Sequence, residues 1–433
     1  MSYDEINIPP PGKPAGKNWA AQFEVLRRHI NFKDAFAALR YPNYRLWFWS
    51  QMFSLFGSWM QSTALGFLIY DLTGSPAYLG FVGFASGLPT WLFMLYAGVI
   101  ADRVSKRNLI VVTQIALTSL AATVSAMTFL HFIQPWHIIV MAFLLGTANA
   151  FEAPSRHAFL LEMVSPEDLT NAIALNSAMF NTATAVGPAV GGLTYALFGP
   201  AWCFFINAVS FIPVIAALKM MKLPRTKPQT TGNSPLDEIK EGFSFTLKHP
   251  LIKAVIAIIA ITTLFGMSFV TLLPAWAVKI LHGDAKTNGF LQSAKGIGSL
   301  IAALIIALLG RFNFRGKLLT FGSFLLPVLL VIFTFVSWTP LSVLVLTGIG
   351  MSLILVFNLS NAIVQTSAPN HIRGRIMSIY ALTFFGLMPF GALAIGAFAE
   401  RFGEKTAILV SAITAFAGMA LVACLAPRLK KST

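Results

Sequence analysis

From residue 46 onward, apolar segments alternate with short polar gaps. Each segment runs to roughly 20–25 residues, enough for a helix to cross the hydrocarbon of a bilayer and longer than an ordinary buried strand. Twelve such segments are predicted, over 46–70, 77–101, 107–130, 136–157, 169–196, 200–221, 252–278, 287–310, 316–338, 340–366, 374–399 and 406–426. The short alternating stretches of a transmembrane barrel are missing from the pattern. The predicted class is an all-α integral membrane protein with twelve transmembrane helices.

The gaps divide the chain. The longest is "KLPRTKPQTTGNSPLDEIKEGFSFTLKH" after the sixth segment. Its Pro, Thr and charge content reads as a linker between two six-helix halves, and Leu236–Leu247 within it is expected to form a short surface helix. The expected layout is a tail over 1–45, a first bundle over 46–222, a linker over 223–250, a second bundle over 251–427 and a tail over 428–433. The first tail holds "PPPGKPAGK" and no apolar run before Leu46, so it does not read as a cleavable signal. Trp19, Phe23, Leu26 and Ile30 recur there at helical spacing among Arg27, Arg28 and Lys33. A helix lying on the membrane and a solvated tail both fit that pattern.

Composition agrees with the pattern. The 433 residues are 56% hydrophobic and 11% charged, about half the charged share of a soluble domain. A net charge of +15 would suggest nucleic acid on a soluble protein. Here the basic residues sit in the gaps, where they set membrane orientation. With both termini assigned to the cytosol, the opposite side keeps only Lys279, Lys286, Arg401 and Lys405, and Lys295 alone falls inside a segment. That bias favours an even number of crossings with both ends inside, in a cell (inner) membrane. Cys203 and Cys424 both lie in apolar segments and suggest neither a disulfide framework nor a metal site.

The halves carry a faint repeat. "LEMVSPEDLTNAIALNS" enters the fifth segment and "VQTSAPNHIRGRIMSIY" the eleventh, with Pro166 answering Pro369 and Pro188 answering Pro389. Duplicated six-helix halves with a site between them are a recurring transporter plan.

"GVIADRVSKR", Gly98 to Arg107, fills the gap between the second and third segments. Orientation accounts for Arg103, Lys106 and Arg107 but not for Asp102. An acid there could fasten the first half to the positive N-terminal end of the eleventh helix near Arg373, and Gly98 would let the turn pack closely. The stretch resembles the loop motif of the major facilitator superfamily, with Gly98, Asp102, Arg103, Lys106 and Arg107 at the family spacing and Ser105 in place of the central glycine. The corresponding second-half stretch, "LLGRFNFRGK", lacks the acid. The resemblance implies the major facilitator fold, two pseudo-symmetric six-helix bundles, with Asp102 helping to close an inner gate.

"AVGPAVGG", residues 185–192, resembles the antiporter motif of exporters in that superfamily, with Ala174 and Ala183 where glycines would stand. Ala183, Gly187 and Gly191 make a small-residue face that lets helices approach, Pro188 invites a bend, and Gly192 extends the run. A close, bent helix at the seam between halves suits rocking; ordinary tight packing explains the same residues. "NAFEAPSRHAFLLEMV" and "QTSAPNHIRGRIMSIY" resemble the branch that holds enterobactin exporters and macrolide efflux proteins.

Ionisable residues inside a membrane are costly and mark candidate function. Glu152 and Arg156 are four apart on one helix face, either as a structural pair or as a proton carrier tuned by its neighbour. Lys295 is read either as facing the central cavity, where it attracts an anion, or as snorkelling to the outer surface. Asp71 reads as a helix-end acid. Gln51 and Gln61 are expected to share a helix face and line the cavity. Trp47 and Trp49 suggest an interfacial belt, and some of the 38 phenylalanines could line a cavity for bulky apolar molecules.

The sequence holds no phosphate-binding G-x-x-x-x-G-K-[ST] run, no H-E-x-x-H, no Cys/His cluster and no G-x-S-x-G. No enzyme activity, cofactor or metal is expected, and no nucleic acid. The expected function is secondary active export of amphipathic small molecules of drug, macrolide or siderophore type by alternating access. Coupling to protons follows from the resemblance alone. The expected partners are the small-molecule cargo, protons and the lipid bilayer; the sequence leaves the oligomeric state open, a monomer included. A membrane receptor or scaffold of the same fold without transport is the alternative reading.

Overall fold

The computed structural model describes residues 34–221, 235–309 and 314–425, and every regular element among them is helical. The long helices are α1 (Pro42–Thr73), α2 (Pro76–Arg103), α3 (Lys106–Phe129), α4 (Pro135–Leu160), α5 (Leu169–Phe198) and α6 (Pro200–Met220). After a 14-residue linker helix, Pro235–Lys248, come α7 (Pro250–Lys279), α8 (Ala285–Leu309), α9 (Arg315–Phe335), α10 (Thr339–Ser367), α11 (Arg373–Phe402) and α12 (Glu404–Leu425). Ten of the twelve are long and apolar enough to cross a membrane. The others, α2 and α5, have 28 and 30 residues. The first half of α5 is diluted by Asn171, Asn176, Asn181, Thr182 and Thr184. The linker helix covers the expected Leu236–Leu247, and it is amphipathic.

Local chemistry sets the ends. Proline stands in the first turn of α1, α2, α4, α6, α7 and α10, where its missing N–H has no intrahelical partner to lose. Single glycines, Gly199 and Gly403, join α5 to α6 and α11 to α12 at φ of 89° and 82°, a region that side chains disfavour. These matching joints, with Pro188 inside α5 and Pro389 inside α11, express the repeat.

Two expectations need correction. The tail does not end at residue 45: α1 begins at Pro42, and a short 3-10 stretch over Asp34–Arg40 precedes it. That stretch is tied to the first bundle because Ala38 N–H donates to Asn171 at 2.9 Å and the Tyr41 hydroxyl donates to Asp168 at 2.9 Å. The seventh segment is not one regular helix. Its middle is a π-type turn, Thr262–Gly266, then a 3-10 turn, Ser268–Leu272. The Phe265 carbonyl accepts the Ser268 and Ser411 hydroxyls at 3.3 and 2.8 Å, and Gly391 of α11 packs on the Leu264 carbonyl. Such single-turn irregularities need outside partners for the backbone, and these supply them. The Trp19–Ile30 pattern and residues 310–313 of "LLGRFNFRGK" lie outside the described residues.

The helices sort into two bundles. In the first, α1 packs on α5 and α6, α3 on α4 and α6, and α2 on α4; in the second, α8 and α9 pack on α10, and α9 on α12. Between bundles the main contacts are α5 on α8 and α2 on α11, two pairs exchanged by the repeat. Exposed large apolar side chains such as Phe53, Leu197, Leu308 and Phe335 cover the outside, as a lipid-facing surface requires.

Both between-bundle pairs are close at the end far from the termini. A Cβ on Gly192 of α5 would lie 3.0 Å from the Gly289 Cα of α8 and 2.5 Å from the Ala285 carbonyl. A Cβ on Gly396 of α11 would lie 2.8 Å from both the Gly80 Cα and the Pro76 carbonyl of α2. The seam then runs to mid-helix, where Gly87 meets Pro389, Gly296 meets the Thr184 carbonyl, and Trp91 lies edge-on to Phe390. Toward the termini it opens: a Cβ on Gly98 of α2 or Gly374 of α11 would meet nothing within 4 Å among the described residues. Among the described residues no neighbour packs closely on Gly98.

Gly396→Val should force the far-end seam apart. Overpacking of this kind costs about 1–3 kcal/mol, read as a lowered thermal midpoint of the detergent-solubilised protein. Gly374→Ala, in open space, should leave that midpoint unchanged or slightly raised.

Candidate functional site

A polar cavity of about 210 Å³ lies in the first bundle. Gln61 and Ser62 of α1, Ser86 and Thr90 of α2, Asn149 of α4 and Asn207 of α6 line it, beside Leu65, Leu117, Leu145 and Phe211. Its wall offers neutral donors and acceptors on an apolar ground, without a formal charge. Asn207 donates from Nδ2 to Gln61 Oε1 at 2.7 Å and is held by the Ser210 hydroxyl at 3.1 Å, so these amides are oriented before anything binds. Two larger grooves, of about 480 and 290 Å³, lie between α1 and α6 and between α9 and α12. Their exposed surface is almost wholly apolar, and they belong to the lipid-facing side rather than to a site.

Gln61 lines this cavity inside the first bundle, and Gln51 does not. Ten residues are 2.8 helical turns, which sets the two glutamines about 80° apart around α1. Gln51 is buried, and its Nε2 has no partner among the described residues.

A charged cluster lies deeper toward the termini. Glu152 of α4 is 3% exposed. Its Oε1 accepts Gln114 Nε2 of α3 at 2.9 Å and faces Arg156 Nη1 at 3.5 Å. That second distance is long for a charge-assisted bond. Arg156 also leans over the Trp47 ring of α1, 6.0 Å from its centroid. The Glu152 Oε2 and Gln114 Oε1 atoms find no hydrogen bond among the described residues. Three helices thus meet at one carboxylate that is paired loosely and satisfied on one oxygen only.

Lys295 of α8 is 9% exposed, so it does not snorkel to the surface. Its backbone abuts Gly350 of α10, and no carboxylate pairs with it among the described residues. Asp71 accepts from the Tyr195 hydroxyl at 3.2 Å, a helix-end contact in the first bundle.

The loop motif is divided. Asp102 ends α2, and its side chain lies outside the described residues. Arg103 is exposed. Lys106 pairs with Glu162 at 2.8 Å, and Arg107 donates to the Lys219 and Met221 carbonyls at the end of α6, at 2.9 and 3.3 Å. Both basic residues brace the first bundle. A cation on the carbonyl end of a helix is favoured by the local dipole.

The α5 motif also splits. A Cβ on Gly187 would meet Trp59, one on Gly191 would meet Met60, and Ala183 is buried beside Leu55, so this small face packs on α1 inside the first bundle. The seam face is the other one. Gly192 meets α8, and Pro188 leaves the Thr184 carbonyl without its helical donor beside Gly296. The next N–H, of Ala189, donates across the seam to Ser293 Oγ at 2.8 Å. The expected seam role thus falls to Pro188 and Gly192, while the 183–187–191 face serves α1. Four-residue spacing identified a small face but not the neighbour it meets.

Sequence reasoning missed Gln114, Asn207 and Ser293. Their signal was present, since a polar side chain inside an apolar segment must find a partner, but the partner's identity was not. Among the described residues no group of three or more His, Cys, Asp or Glu could hold a metal, and Cys203 and Cys424 are free.

A family profile described as transmembrane secretion effector matches residues 33–432. The staphyloferrin A transporter of Staphylococcus aureus is 26% identical over 82% of this chain and 90% of its own. The multidrug efflux pump Tap of Mycolicibacterium fortuitum is 24% identical over 87% and 93%. A crystal structure of a POT peptide transporter superposes with a TM-score of 0.72 at 12% identity, covering 90% of this chain and 95% of that one, which is a likeness of fold.

Gln61→Leu should strand the buried Asn207 amide and cost about 1–3 kcal/mol of stability. Adding Asn207→Leu should recover part of it. Thermal melts of the two single variants and the pair measure the coupling.

Proposed function

This chain belongs to the transmembrane secretion effectors of the major facilitator superfamily, and from that premise we propose that it is a proton-coupled exporter of amphipathic small molecules. The observation that carries the reading is the one-sided seam: the bundles meet backbone to backbone at the far end and part toward the termini, beside a cavity with neutral polar and apolar walls. In the orientation that the basic residues favour, the termini face the cytosol. The cavity is then reached from inside, and cargo leaves after the bundles rock.

Each part has a physical role in that cycle. The cavity wall suits a cargo with scattered hydrogen-bonding groups on an apolar body. The relatives named for staphyloferrin A and for multidrug efflux are consistent with that breadth. Lys295 offers a buried positive charge to an anionic group on the cargo. Glu152 carries the proton: in a low-dielectric interior its ionised form leans on Arg156 and Gln114, and withdrawal of Arg156 would favour the protonated acid. Both groups sit on α4, so the distance changes through a swing of the Arg156 side chain, which would couple proton occupancy to posture if rocking alters the space around it. Asp102 closes the inner gate against the start of α11 when the bundles meet at the cytosolic side.

Transport is tested in vesicles loaded with a labelled macrolide, with an imposed pH gradient and with the gradient dissipated. The native protein should move cargo in the gradient-dependent direction. Glu152→Gln should reduce gradient-driven flux to the gradient-free level while retaining cargo exchange. Flux that keeps its full pH dependence in Glu152→Gln returns that residue to a structural role. Binding without movement in the native protein would favour the receptor.

A further inference from the structure

The far end of the seam carries a contact that the loop motif does not account for. Glu400 sits in the last turn of α11. Its Oε2 accepts the Ser75 hydroxyl at 2.6 Å and the Ala77 backbone N–H at 3.1 Å, both at the start of α2 in the other bundle. Ser75 is the residue just before α2, and it makes no cap of its own to that helix. The second bundle therefore supplies the cap that the first bundle's helix lacks. The two ends of the contact are electrically matched: a carboxylate is disfavoured at the C-terminal end of its own helix and favoured at the N-terminal end of another. Lys279, paired with Glu404 at 2.9 Å, stands beside the same rim and leans over the Tyr70 ring of α1.

α2 and α11 run antiparallel across the seam. Each therefore presents its C-terminal end to the other's N-terminal end, one such meeting on each side of the membrane. An acid stands at both: Glu400 at the end of α11 and Asp102 at the end of α2. We infer that Glu400 is the outer-gate latch of this carrier, capping α2 while the bundles meet at the outer face and releasing it when they part there. The two acids then alternate, since rocking that closes one end separates the other. The contact is exposed and screened, so each latch is weak and reversible. A weak latch tunes the balance of postures without locking either. The inference rests on the alternating-access reading above.

Labelling distinguishes the two claims. In a background with Cys203→Ser and Cys424→Ser, Ala285→Cys reports the outer seam, because Ala285 is 3% exposed beside Gly192. A membrane-impermeant maleimide is added from the outer side. Gly289→Trp wedges the seam and serves as the open control. Glu400→Ala should raise the labelling rate about two- to fivefold, the range for an exposed charge on a helix end. Ala77→Pro, which deletes the donor N–H at a helix-start position tolerant of proline, should raise it similarly. The pair of substitutions should add little beyond either one, whereas Glu404→Gln, which leaves the Glu400 contact intact, should not reproduce that non-additivity with Ala77→Pro. Glu400→Ala with native labelling, or effects of Glu400→Ala and Ala77→Pro that simply add, would overturn the latch while alternation stands if the wedge exposes the introduced thiol. A wedge that leaves that thiol unreactive would overturn alternation and the latch together.

Discussion

The structure depends on two antiparallel helix pairs, α2 with α11 and α5 with α8, that approach backbone to backbone at one end. Lipid tails are as apolar as leucine, so helices in a bilayer gain little by hiding greasy side chains from one another. What holds them is close van der Waals approach, and that needs glycine at the crossing. Gly80 against Gly396 and Gly192 against Gly289 provide it twice, at positions related by the repeat. These contacts lie toward one end of each pair.

Within the bundles and across the seam the polar groups obey a second constraint. No water in the hydrocarbon satisfies them, so each must find a protein partner. Gln61 finds Asn207, Ser411 finds the Phe265 carbonyl, and Ala189 finds Ser293 after Pro188 disrupts the local ladder. Glu152 is one of the exceptions, as is Gln51. One Glu152 oxygen is held by Gln114, Arg156 is at the edge of pairing distance, and the second oxygen is unpartnered among the described residues.

The far-end rim adds an electrostatic layer to the steric one. Glycine contact permits approach; the Glu400 carboxylate on the start of α2 biases it. Steric fit is short-ranged and falls away with the first ångström of separation, whereas charge on a helix end acts over a somewhat longer distance and is sensitive to salt. In the proposed cycle the pairing of the two would let the seam close firmly and still open.

Much of this was legible in the chain. Apolar runs set by bilayer thickness gave twelve helices within a few residues of their observed ends, and proline and glycine marked starts and joints. These features are local, fixed by composition over a turn or a span. What the sequence left open was which face of a helix meets which neighbour. The 183–187–191 face turned toward α1, Gln51 turned away from Gln61's cavity, and Lys106 and Arg107 turned inward to brace their own bundle. The break in α7 and the capping of α2 by Glu400 were equally hidden, because both rest on residues distant in the chain. Sequence alone determined how many helices form and where they begin and end, since solvent and backbone chemistry decide that residue by residue. Tertiary structure alone decided their rotation and partners, since those follow from packing every helix against its neighbours at once.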